Sequence, residues 1–373
     1  MMNSLQKLNE LGQSVWLDNL NRDIIENGEI PRKIKNEGLR GITSNPAIFQ
    51  KALREDHSYE DSIHTASRQK MAVSTVYEEL IVEDVRKACD LLMGVYKDSD
   101  GADGYVSLEV SPYLAYDAAG TVVEANRLAD AVNRPNLMIK VPGTRIGFKA
   151  IEELLYSGIN VNITLLFSEE KYEETVLAYC RALERRVSEN RSIKEISSVA
   201  SFFLSRIDVL VDQLLSHRLH TASPALNASA KKLLGRSGIA SAKCIYRKFR
   251  SMTQNARWKA LQDRGARVQR VLWASTSTKN PDYSDVMYIE PLIGSDTVST
   301  MPEITAQSYL DHGRPAANTI EDEADQWMDV FNQLESLDIQ MKCVTEQLKN
   351  EGVQKFIQAY EGCLELVKEK MKQ

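Results

Sequence analysis

Lys140 stands inside an apolar run, Asn136-Leu137-Met138-Ile139-Lys140-Val141-Pro142-Gly143-Thr144, in which four of the five residues before Pro142 are apolar. Such a run ended by Pro-Gly reads as a buried strand entering a turn. Lysine is rarely buried without a partner. Desolvation disfavours an ammonium and favours a free, nucleophilic amine, whose usual use is a Schiff base with a carbonyl compound. A lysine that snorkels to solvent or forms an ion pair is the alternative for this stretch taken alone. Other short apolar segments also end in polar groups: Asp18 after Ser14-Val15-Trp16-Leu17, Asn45 before Pro46, Glu109 before Val110, Asn162 and Thr164 within 159–167, Ser201 with Arg206, and Ser275. Buried strands should be nearly all apolar, so seven such ends argue for a shared purpose. Together they offer a nucleophile, two carboxylates for proton transfer, amides and hydroxyls to hold hydroxyl groups, and a guanidinium for an anion.

These segments alternate with helical patterns, and that alternation is what must position the polar groups. Strand-like segments fall at 14–18, 38–46, 104–110, 136–142, 159–167, 196–203, 268–275 and 286–292. Helical patterns are expected at 4–13, 19–37, 47–66, 73–96, 117–132, 147–156 and 168–190. A mostly helical insertion is expected at about 208–264, and a helical carboxyl extension at about 319–373. Eight strands, most of them apolar on both sides and separated by helices, describe an α/β protein with a parallel sheet. The count favours a single (β/α)8 TIM barrel over an open doubly wound sheet. No Gly-x-Gly-x-x-Gly follows the first strand, so the dinucleotide fingerprint is missing. Gly143-Thr144-Arg145-Ile146-Gly147-Phe148-Lys149 is rejected as a phosphate loop: its spacing is one short, and Phe148 separates Gly from Lys.

The totals narrow the function classes. The 373 residues carry a net charge of −6 and no basic blocks, which argues against nucleic acid as a partner. No apolar run is long enough to cross a bilayer, and residues 1–13 are polar and helix-like with no apolar signal core, so a cytoplasmic location is expected. The five cysteines are scattered with no Cys-x-x-Cys pair, and the five histidines do not cluster with them. Reduced, packing cysteines and neither metal nor organic cofactor are expected. Trp16 and Trp273 read as core residues, and Asp18 has a helix N-cap as its ordinary alternative.

Across nearly its whole length the sequence resembles the transaldolase family. The resemblance is carried, in order, by Trp16-Leu17-Asp18-Asn19-Leu20, residues Gly41 to Phe49, Ser107-Leu108-Glu109-Val110 and residues Ile139 to Thr144. It continues in residues Ile159 to Phe167 and Ser198 to Phe203, then Leu272-Trp273-Ala274-Ser275-Thr276 and Thr300-Met301-Pro302. The insertion, the carboxyl extension and the Thr-Ser-Asn-Pro and Trp-Ala-Ser-Thr motifs are similar to the longer bacterial subfamily. The resemblance implies transfer of a dihydroxyacetone unit between sugar phosphates by an enzyme of the non-oxidative pentose phosphate pathway, acting as a monomer or homodimer. It implies Lys140 as the Schiff-base lysine, Asp18 as the base at the C4 hydroxyl, and Glu109 with a water held by Thr164 for the Schiff-base protons. Asn45 and Asn162 would hold the dihydroxyacetone hydroxyls, with Thr43, Ser201 and Ser275 nearby, and Arg206 the phosphate.

Two departures stand out. Where many members add an arginine after the seventh strand, this chain reads Ser275-Thr276-Ser277-Thr278-Lys279. Lys279 can supply the charge but not the bidentate geometry. Ser299 replaces the subfamily's usual Asn in what is expected to be the loop after the eighth strand. The rival activities are a Schiff-base aldolase that releases free dihydroxyacetone and a non-catalytic barrel that binds a sugar phosphate.

Overall fold

The structure, a computed structural model, describes residues 2–219 and 230–373. Eight strands form a closed parallel barrel: β1 Gln13–Leu17, β2 Gly41–Thr43, β3 Val106–Glu109, β4 Leu137–Pro142, β5 Val161–Leu166, β6 Ser198–Phe203, β7 Arg270–Ala274 and β8 Thr297–Met301. Each pairs with its neighbour in sequence, and β8 closes onto β1 through Leu17 opposite Met301. Every strand residue except Arg270 is buried, as expected where helices cover the outside and side chains fill the inside. Trp16 and Trp273 are completely buried. A Cβ at Gly41 would lie 2.5 Å from the Trp16 ring, so only glycine lets β2 pair with β1 there. The amino-terminal end of the barrel is tied by Arg270, which donates to Ser14 Oγ (2.7 Å) and Asp103 Oδ1 (2.9 Å). That end serves stability and leaves the opposite end for chemistry.

The expected eighth strand at 286–292 is a correction. The segment is a turn leading into a 3-10 helix at Glu290–Leu292, and the strand lies later, at Thr297–Met301. Val286, Ile289 and Ile293 recur every three or four residues, which is a helical and not an alternating spacing; they pack with Leu5 and Leu8 in a small separate cluster. The true strand was hidden by its hydroxyls, two of which find partners inside the barrel: Thr297 donates to Gly294 O (2.6 Å) and Thr300 bonds Thr43 (2.8 Å). Ser299 consequently belongs to β8, opposite Val15 of β1 and Trp273 of β7, and not to a following loop.

Several helical segments also divide. The 19–37 pattern forms helices Arg22–Glu26 and Glu29–Glu37, separated by Gly28 at φ +83°. The 47–66 pattern forms Pro46–Glu55 and Glu60–Arg68 with a 3-10 turn between them, and the first helix stops at Glu10 so that Gln13 can enter β1. In the insertion, helix Ser205–Leu219 begins directly after β6, and helices Ser237–Gln254 and Ala256–Gln262 lead to β7. Residues 220–229 of the expected insertion lie outside the described residues. The carboxyl extension forms helices Ala324–Ser336 and Met341–Lys370. The last helix packs along Pro46–Glu55 and meets β5, with Val344, Leu348, Val353, Phe356, Cys363 and Val367 buried along it. Among the described residues no helix is long and apolar enough to cross a membrane.

Candidate active site

Register puts three of the predicted groups in one line across the sheet. Glu109 at the end of β3 lies opposite Lys140 of β4, and Lys140 lies opposite Asn162 of β5. In a parallel sheet, residues in register point to the same side, and here that side is the barrel interior. The Lys140 side chain is 6% exposed, its Nζ stands 3.9 Å from Glu109 Oε2, and it donates to Ser44 O at 3.1 Å. Asn162 is fixed from both ends: its amide donates to Ser107 Oγ (3.0 Å), and its carbonyl oxygen accepts from Ser201 Oγ (2.7 Å).

Glu109 is strongly altered by its surroundings. Both carboxylate oxygens are buried and make no hydrogen bond among the described residues. Burial raises its pKa to about 7; Lys140 and then Arg206 oppose the rise, and Asp18 adds to it. A carboxyl poised near neutrality can give and take a proton within one cycle. Thr164 Oγ1 is likewise buried with no hydrogen-bond partner among the described residues. Beyond Thr164 the β5–β6 register shifts between Ile163 and Leu166, and Leu165 adopts φ +60°. The irregularity surrounds Thr164, and pairing resumes at Leu166 opposite Phe202; such bulges re-aim side chains.

Asp18 follows β1 directly, where its N–H donates to Met301 O (2.8 Å) and its Oδ1 accepts from Thr43 Oγ1 (2.8 Å). It caps no helix, because Asn21 caps Arg22–Glu26. Asn45 does cap one: its Oδ1 accepts from Ile48 N (3.1 Å), and Pro46 occupies the first helical position. The cap uses the carbonyl oxygen and leaves the amide nitrogen for another partner.

Asp18, Thr43, Asn45, Lys140, Ser201, Arg206 and Ser275 line one inner cavity of about 70 Å³ at the carboxyl end of the barrel. Glu109 lines an adjoining cavity that shares Asn45, and Asn162 reaches the inner wall through its bond from Ser201. An outer cavity of about 500 Å³ shares Asp18, Arg206 and Ser275 and adds Lys279 at its rim. Lys279 therefore lies outside the inner cavity, exposed, with its Nζ donating to Ser277 Oγ (2.5 Å). Arg206 begins helix Ser205–Leu219, its guanidinium 5.0 Å from the Phe203 ring centroid and 5.8 Å from that of Phe356. Its Nη1 is buried without a hydrogen bond among the described residues, a donor suited to an anion. Ser275, at φ +56°, bonds Ser205 through paired hydroxyls (2.8 Å) and accepts from Ser205 N (3.1 Å), locking the ends of β6 and β7 together.

The structure adds residues that the sequence reading did not select. Thr300 joins Thr43 on the cavity wall, and Phe356 of the last helix closes it from outside. Thr300 lay within the Thr300-Met301-Pro302 motif, which could have marked it. Phe356 carries no such signal, because its spacing is that of any helical packing stripe.

The comparisons with known proteins follow this geometry. A family model described as Transaldolase/Fructose-6-phosphate aldolase matches residues 15–367. The chain is 43% identical over 375 residues to a protein of a Nostoc species named Transaldolase 2, covering 100% of this chain and 98% of that one. It is 44% identical to the Transaldolase of Trichodesmium erythraeum over 99% of this chain and 98% of the relative. To that of Thiobacillus denitrificans it is 42% identical, over 97% and 99% respectively.

Proposed function

The chain belongs to the transaldolase/fructose-6-phosphate aldolase family and is an enzyme of transaldolase activity, and on that premise we propose that Lys140 is its Schiff-base lysine. Lys140 Nζ attacks the C2 carbonyl of a ketose phosphate such as fructose 6-phosphate or sedoheptulose 7-phosphate. Glu109, through a water held by Thr164, takes the proton that the attacking amine must shed and returns one to the carbinolamine hydroxyl. That hydroxyl leaves as water. Asp18 then removes the proton from the C4 hydroxyl, the C3–C4 bond breaks, and the aldose phosphate departs. The electron pair from that bond is held by the protonated imine as an enamine, the retained dihydroxyacetone unit. This unit adds to the aldehyde carbon of erythrose 4-phosphate or glyceraldehyde 3-phosphate, Asp18 returns its proton, and hydrolysis frees Lys140.

Asn45, Asn162, Thr43, Ser201 and Ser275 orient the three-carbon unit, directly or through one another. Positioning matters because the intermediate must survive release of the first product. Arg206 takes the phosphate in the outer cavity, with Lys279 as a rim charge. No cofactor enters the scheme. We further read the chain, 1–373, as one catalytic barrel unit working in the cytoplasm as a monomer or homodimer.

The observation that carries this reading is the buried Lys140 amine 3.9 Å from Glu109, with Asp18 on the wall of the same cavity. The test is to supply fructose 6-phosphate with and without erythrose 4-phosphate. Sedoheptulose 7-phosphate should form only with the acceptor. Free dihydroxyacetone accumulating at a comparable rate without acceptor would indicate an aldolase instead, and no turnover would indicate a binding barrel.

A further inference from the structure

The outer cavity contains a carboxylate that the transfer chemistry leaves unused. Glu351 of helix Met341–Lys370 lines it together with Arg206, Lys279 and Lys355. Its two oxygens are held by its own helix: Oε1 accepts from Gln347 Nε2 (2.8 Å), and Oε2 stands 3.5 Å from Lys355 Nζ. Glu351 is thus fixed one turn from each neighbour. Gly352 beside it faces Arg206, where an added Cβ would lie 3.6 Å from Nη1, at ordinary contact distance. A pocket meant only to bind an anion tightly would not carry a carboxylate in the same wall as its buried guanidinium, since like charge opposes the ligand.

We propose that Glu351 is a resident counter-charge that weakens phosphate binding at Arg206, so that the first aldose phosphate leaves while the three-carbon unit stays. This rests on the reading of the outer cavity as the phosphate end. Phosphate contacts are made equally before and after the C3–C4 bond breaks, so they act as uniform binding: strengthening them holds product as well as substrate. Lys355 works in the opposite sense, supplying positive charge to the anion and to Glu351. Glu351 is therefore a residue that tunes specificity and release, and takes no part in bond making.

The test measures inorganic phosphate binding to the full chain by calorimetry, alongside steady-state kinetics with fructose 6-phosphate and erythrose 4-phosphate. Glu351→Gln should bind phosphate about three- to tenfold more tightly, lower KM by a similar factor, and lower kcat as product release slows. Lys355→Gln should shift phosphate affinity and KM in the opposite direction. With both variants folded by circular dichroism, an unchanged phosphate affinity and KM in Glu351→Gln would overturn the proposal. Opposite shifts in phosphate affinity without any three-carbon transfer would uphold the counter-charge and instead sink the transferase scheme.

Discussion

Glu109 has a consequence that a titration can read. In the folded chain its carboxyl titrates near about 7, against 4.5 for an ordinary glutamate, chiefly because it is buried. Below about 7 it is protonated and cannot accept the proton of the attacking amine, so kcat/KM should rise as pH rises through that value. Glu109→Gln should lose that limb and retain a small pH-independent rate. Stability moves the other way. Between pH 4.5 and about 7 the folded state holds a proton that the unfolded state has released, so stability falls across that window and levels off above it. Glu109→Gln should therefore melt higher than the parent at pH 8, by about 1–3 kcal/mol, and differ little at pH 4.5. Equal melting at pH 8 would show that the carboxylate is better solvated than its burial implies. Asp18→Asn should retain the fold and reduce kcat by about 10²–10⁴-fold, the usual worth of a positioned general base. Intact single-turnover cleavage in that variant would remove Asp18 from its role.

The helix Ser205–Leu219 carries Arg206 to the site and is anchored behind it by Asp208. That carboxylate accepts from Gly238 N (2.9 Å) and Tyr288 Oη (2.8 Å), joining the helix to the insertion helix Ser237–Gln254 and to the β7–β8 connection. Asp208→Ala leaves the Gly238 and Tyr288 donors without this partner and should cost about 2–4 kcal/mol in denaturant unfolding. Gly238→Ala should also destabilise, because its Cβ would sit 2.8 Å from Asp208 Oδ2 and 3.0 Å from Leu204 O. Wild-type midpoints in both would contradict the anchoring. None of this was legible in the sequence, where Asp208 is one acid among many. The strand ends were legible because Lys140, Glu109 and Asn162 interrupt runs that are otherwise apolar. The same logic failed at β8, whose Thr297, Ser299 and Thr300 hide a buried strand behind hydroxyls, while Val286, Ile289 and Ile293 imitate one with a helical repeat.

At the scale of the whole molecule, eight strands bring one end of the barrel together, and the last helix lies against that end. The closed parallel order could be inferred from eight alternating units, but the placement of a helix more than 150 residues beyond Lys140 could not. Nothing local in Met341–Lys370 distinguishes the Phe356 that faces the cavity from a residue that only packs. Gly352 marks how tightly that helix is seated: an added Cβ would lie 2.8 Å from Leu165 Cδ2. Gly352→Val should push the helix outward, raise KM for fructose 6-phosphate several-fold and lower the melting temperature, whereas unchanged kinetics would show the helix to be dispensable to the site. The central claim, that Lys140 becomes covalently bound to the substrate, is tested most directly by borohydride reduction with fructose 6-phosphate followed by peptide mass mapping. One reduced three-carbon adduct on the peptide containing Lys140 is predicted, and no adduct, or one on another lysine, would contradict the account.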